Sequence, residues 1–173
     1  AMADYIVPDT ITYESWGIGA PWADVIYGCD RAWWVHRAGL QNFRGLKLSF
    51  DDTGHADIRR VNIPDRYSTE LLFGGIGTIG SGGNSGFQAL NLAIQFGATR
   101  ILLVGFDMDD RAGVHWYGRN NWHGANNPSA TNFKRWIPAF ENAARQCAER
   151  GVEVVNCSPH SALRAFPRRS IDD

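Results

Sequence analysis

Residues 82–110 read GGNSGFQALNLAIQFGATRILLVGFDMDD: a glycine-rich loop, an amphipathic helix, a tight turn and a buried strand that ends among three carboxylates. Phe87, Leu90, Ala93 and Ile94 recur at helical spacing, with Asn84 or Ser85 placed to cap the first turn and Gly97 to end the last. Residues 101–104 are a continuous aliphatic run, which predicts a strand covered on both faces, and Asp107, Asp109 and Asp110 follow where it emerges. In open α/β sheets the ligand crevice lies at the carboxyl ends of the strands, and a helix opened by bare N–H groups attracts anions. Both halves of this unit therefore predict a nucleotide site.

Immediately upstream, Gly75, Gly77 and Gly80 spell a literal G-x-G-x-x-G. The helix opens only after Ser85 and no acidic residue ends a second strand at the expected distance, so the dinucleotide match is discounted. No Lys-Ser or Lys-Thr follows the glycines, which excludes a P-loop. A glycine run that ends at a capped helix reads either as an anion cradle or as a flexible linker.

Towards the amino terminus, residues 23–27 predict a strand and Gly28-Cys29-Asp30 turns it into a short helix carrying Trp33, Trp34 and His36. Asp30 reads either as the cap of that helix or as a carboxylate at a strand's end. Residues 46–50 predict another strand and residues 60–63 a short one closed by Pro64, while residues 3–23 offer at most a strand at 5–7. Towards the carboxyl terminus, residues 133–150 predict a long amphipathic helix that bends at Pro138 without breaking. Residues 152–155 predict a last strand and residues 156–166 a closing short helix behind Ser158.

Between them, residues 109–132 form a long loop, and loops of that length in a compact domain are usually lids or binding loops. It holds His115 and His123 among Trp116, Tyr117, Arg119 and Trp122. Aromatics stack on bases and sugars, an arginine meets phosphate and a histidine moves a proton near neutral pH. The competing reading is a loop whose aromatics only pack it down.

The 173 residues suit one domain, with no apolar segment long enough to cross a membrane. A net charge of −1 makes nucleic acid an unfavoured partner despite the local Arg164, Arg168 and Arg169. Cys29, Cys147 and Cys157 are odd in number and lack metal-ligand spacing, which with no signal peptide predicts reduced thiols in a cytoplasm. Ala1 ahead of Met2 reads as a cloning remnant before the natural start.

Taken in order, the 82–110 unit, the His-bearing loop, the long helix and VEVVNCSPHSALRAF at 152–166 resemble the bacterial lipooligosaccharide sialyltransferases and their small relatives in phages and bacteria. The resemblance covers roughly residues 22–170. It implies a single Rossmann-like α/β nucleotide-binding domain with a mainly parallel sheet and a lid, and a cytidine monophosphate sugar as ligand. The helix opening, Asn84 with Ser85 and Gly86, would approach the donor nucleotide, Asp107 would lie beneath its ribose or base, Asp30 would face it and Tyr117 would reach the phosphate. His123, with His115 as second choice, would be the base that activates an acceptor hydroxyl. Members of that family open with a strand and a Gly-x-Gly-Pro-Ser loop, where this chain has Trp16-Gly17-Ile18-Gly19-Ala20-Pro21.

The resemblance implies no required cofactor. Asp107-Met108-Asp109 spells the D-x-D that holds a divalent cation in other glycosyltransferases, so a metal is allowed but not favoured. The expected function is transfer of a sugar from a nucleotide to a hydroxyl acceptor. Its alternative is a non-catalytic phage protein that binds or sequesters a nucleotide in the host cytoplasm, and a third reading is an assembly protein with a Trp-rich interface. A homo-oligomer is compatible with each.

Overall fold

The structure, a computed structural model, describes residues 6–7, 22–111, 113–115 and 118–172. Strands β1 (Ile6–Val7), β2 (Val25–Gly28), β3 (Leu46–Ser49) and β4 (Ile58–Arg60) lie side by side in that order, each pair parallel. Strands β5 (Arg100–Leu103) and β6 (Glu153–Asn156) pair in parallel as a second sheet. Parallel neighbours need crossover connections, and helices α1 (Arg31–His36) and α3 (Ala130–Glu149) lie in those between β2 and β3 and between β5 and β6, while α2 (Ser85–Gln95) lies in the segment that joins the two sheets. The protein is therefore mixed α/β, with its parallel strands in two small sheets rather than the one Rossmann-like sheet expected.

Helix α2 forms as its sequence predicts: Asn84 has extended backbone and its side chain accepts the Phe87 N–H at 3.1 Å, while Gly97 leaves the helix at φ +91°. It is more deeply set than an amphipathic helix, because residues 86–92 are all buried. Phe87 and Leu90 pack with Ile101, Leu103, Phe140 and Val154 around the two-stranded sheet, whereas Ala89 and Leu92 pack with Tyr27, Leu48 and Ile79 against the four-stranded one. The polar position between them is used as well. Asn91, fully buried, accepts the N–H groups of Leu72 and Gly80 and donates to the Leu72 carbonyl, which fastens the glycine-rich segment to the helix.

Helix α3 runs unbroken through Pro138, and Asn132 Oδ1 accepts from both the N–H (3.0 Å) and the hydroxyl (2.7 Å) of Ser129 at its start. Phe140 is its contact centre, meeting the rings of Phe87, Phe106 and Phe166 edge-on at 5.6, 5.6 and 6.4 Å.

Three local expectations are corrected. Strand β5 is covered on one face only, since Leu102 and Val104 are exposed. The strand near residue 60 lies earlier, at Ile58–Arg60, and Asn62 bridges instead to Thr78. Residues 157–166 form no helix, because their polar side chains bond backbone groups in competition with a helical ladder. The Ser158 hydroxyl accepts the Phe106 N–H at 2.7 Å, and the Ser161 hydroxyl donates to the Phe106 carbonyl at 2.6 Å and accepts the Leu163 N–H at 3.0 Å.

Candidate functional site

The register of β2 and β3 sets up the site. Gly28 is paired with Ser49, so the two strands leave the sheet together, and the Asp51 N–H donates to the Cys29 carbonyl just beyond it. Cys29-Asp30 and Phe50-Asp51 thus stand side by side at the carboxyl ends of neighbouring parallel strands. They line a cleft of about 310 Å³ with Asn84 and Gln88 of α2, Arg66 and Tyr67 from the segment after β4, and Arg135 of α3. Gln88 is held in place by structure: its Oε1 accepts the Tyr27 hydroxyl at 2.7 Å and its Nε2 donates to the Ser81 carbonyl at 2.9 Å.

The cleft carries both signs of charge. Asp30 stands at the cap position of α1 but makes no cap bond; Asp51 Oδ2 accepts the Arg31 N–H at 3.2 Å instead. Partial burial raises the Asp30 carboxyl above the ordinary carboxylate range and the Asp51 charge adds to that, while a hydrogen bond from the Cys29 thiol pulls it down. The Arg66 guanidinium lies over the Phe50 ring, 4.7 Å from its centroid, and Arg135 lies against Gly83, where a Cβ would come 3.1 Å from its Nε. Among the described residues no ion pair joins Arg66 or Arg135 to Asp30, Asp51 or any other carboxylate. Tyr67, almost fully exposed at 94%, presents an aromatic face at the same cleft.

Of the residues singled out from sequence, Asp30 and Asn84 come together here, with Ser85 next to Asn84. Gly86 is buried, and a Cβ on it would lie 2.8 Å from the Phe106 ring, so its lack of a side chain serves packing of α2 against residue 106. Asp107 lies apart from this lining, at the end of β5. Partial burial and the neighbouring Asp109 raise its carboxyl, and the exposed His160 lowers it. Asp109 is itself paired with Arg111, whose Nε is 2.9 Å away. Among the described residues no group of three His, Cys, Asp or Glu is arranged to hold a metal ion.

His115 and His123 do not line the cleft. His115 is half-buried, 3.4 Å from the Asn120 amide nitrogen, and burial lowers its pKa, with Arg119 adding to the effect. His123 is exposed. Tyr117 and residues 16–21 lie outside the described residues. Part of the loop expected as a lid is described. Residues 120–127 form a braced loop, Asn120 and Asn127 exchanging bonds of 2.8 and 2.9 Å, and it is seated on α1 where Trp122 stacks on His36 at 4.7 Å. The glycines of the G-x-G-x-x-G are likewise engaged, since the N–H groups of Gly77 and Gly80 donate to Gln95 and Asn91 of α2.

Sequence reading missed Asp51, Arg66, Tyr67 and Arg135. Asp51 had a signal, a carboxylate directly after a predicted strand as at Asp30, but the arginines are brought in by elements distant in the chain.

No family model matches this chain, and no solved structure matches it. A segment of 66 residues is 39% identical to part of a tetrathionate reductase of Salmonella typhimurium, a match that spans 37% of this chain and 6% of the length of that protein. These findings overturn the resemblance to the lipooligosaccharide sialyltransferases. The motifs that carried it are accounted for by local structure: Asn84 caps α2, Gly86 makes room for Phe106, and the residues after β6 brace Phe106 through their hydroxyls.

Proposed function

We propose that the cleft beyond β2 and β3 binds a nucleotide or a nucleotide sugar. One observation carries this reading: among the described residues, two arginines and two carboxylates line one cleft with no ion pair between them. Asp51 is half-buried while Asp30, Arg66 and Arg135 are exposed, so charges of both signs stand at the surface of the cleft, open to a ligand. A ligand with an anionic end for Arg66 and Arg135, and a hydrogen-bond-donating part for Asp30 and Asp51, satisfies both groups at once. The amino end of α2 adds partial positive charge near the phosphate, and Tyr67 supplies a face on which a base stacks. In this reading the two sheets are halves of one doubly wound, Rossmann-like sheet. The burial of α2 against the clusters of both sheets supports it.

The placement of His115 and His123 outside the cleft lining favours a non-catalytic binding protein over a sugar transferase. The same reading puts the protein in a cytoplasm, where Cys29, Cys147 and Cys157 stay reduced. No helix among the described residues is long and apolar enough to cross a membrane. Calorimetric titration of the full chain with nucleoside 5′-monophosphates tests the binding. Saturable binding that falls at least about tenfold in R66Q/R135Q is expected, from loss of charge-assisted phosphate contacts. Affinity unchanged in that double variant removes the reading.

A further inference from the structure

Asp30 and Asp51 give the cleft a feature beyond charge balance. An ionised carboxylate only accepts hydrogen bonds, with two oxygens and about four lone-pair sites. Asp30 would ordinarily use one oxygen to cap α1, yet Asp51 makes that cap bond from the neighbouring strand, so the Asp30 carboxylate faces the cleft without a helix to serve. Two carboxylate acceptors held side by side at the ends of neighbouring strands call for a ligand surface with two adjacent donors. Among the described residues no third His, Cys, Asp or Glu joins them in a metal-binding group, and the pair repels a phosphate.

We propose that Asp30 and Asp51 select the ribose, accepting from its 2′- and 3′-hydroxyls, so that the cleft takes ribonucleotides in preference to 2′-deoxyribonucleotides. This rests on the nucleotide reading above. A deoxyribose lacks one of the two donors, and a site built to hydrogen-bond a substrate hydroxyl discriminates against the analogue that lacks it. The volume, about 310 Å³, lies at the small end for ligand sites and suits a mononucleotide. The dinucleotide-like glycines offer nothing against this, because Gly77 and Gly80 direct their N–H groups to α2.

The test is calorimetric titration of the full chain with the four ribonucleoside 5′-monophosphates, each against its 2′-deoxy counterpart, repeated in D30N and D51N. The melting midpoint without ligand serves as the folding control. D30N removes no cap bond, so it is the variant expected to keep the fold. The best ribonucleotide should bind about tenfold tighter than its deoxy form, the cost of one lost bond to a charged acceptor. In D30N that ratio should fall to within about twofold of unity. Equal affinity for the two sugars in the unaltered protein overturns the inference and leaves the nucleotide reading standing, as does a preference that persists in both variants. Binding of neither sugar form overturns both.

Discussion

The first N–H of α1, that of Arg31, is bonded not by the residue that precedes the helix but by Asp51 from the next strand, whose Oδ2 accepts it at 3.2 Å. Asp30, at the cap position with extended backbone, makes no such bond. The structural and ligand-facing duties of two neighbouring carboxylates are thereby separated, and their effects on stability separate with them. Asp51→Ala should destabilise the protein by about 1 kcal/mol, the usual value of a helix cap, and Asp30→Ala should not destabilise it. Urea unfolding of the two variants compares them directly.

The Asp30 carboxyl lies above its ordinary range, chiefly through burial and then through the charge of Asp51, against the hydrogen bond from Cys29. The folded protein therefore holds this proton more tightly than the unfolded chain. That contribution to stability is complete below the unfolded pKa of about 3.9 and is lost as pH rises through the higher folded value. D30N should melt above the unaltered protein at pH 7, and the gap should close by about pH 3, where both states are protonated. A gap that widens on acidification would contradict the assignment.

Because Arg66 and Arg135 hold no carboxylate among the described residues, phosphate attraction at the cleft should respond to salt. Raising ionic strength from about 0.05 to 0.5 M should weaken nucleotide binding severalfold, and R66Q/R135Q should flatten that dependence. Titrations at several salt concentrations give both slopes.

Asn91 is fully buried and makes three bonds to the segment running from Leu72 to Gly80. Asn91→Leu leaves the Leu72 and Gly80 N–H groups without this acceptor, while the Leu72 carbonyl keeps the bond from Gln95, and should cost about 2 kcal/mol. Amide exchange at Leu72 and Gly80 should accelerate in parallel.

Gly86 touches the Phe106 ring so closely that a methyl group would stand 2.8 Å from it. Gly86→Ala should destabilise by about 1–3 kcal/mol through overpacking, and Phe106→Leu in the same chain should recover part of the loss. A strictly additive double variant would show that the two positions do not share this contact.

Most of the secondary structure was legible locally. The cap at Asn84, the turn at Gly97, the continuous helix through Pro138 and the strands ending at Gly28 and Ser49 each follow from residues near one another in the chain. The failures have a common cause. The segment after β6 looks helical by apolar spacing, yet Ser158 and Ser161, the latter held by Asn156, find partners at Phe106, some fifty residues earlier. The aliphatic run at residues 101–104 looks buried on both sides, yet Leu102 and Val104 are exposed because only one face of β5 is covered.

What the sequence determined by itself is a parallel α/β protein with carboxylates where its strands end and a capped helix after its glycines. Periodicity, caps and turns are short-range properties, set by backbone sterics and hydrogen bonds within a few residues. Only the tertiary structure decided that Asp30 meets Asp51, that Arg66 and Arg135 reach the same cleft, and that His115 and His123 do not line it. Those juxtapositions depend on strand register and on which helix packs against which sheet, and no local pattern encodes a contact between residues that meet only after the chain has closed on itself.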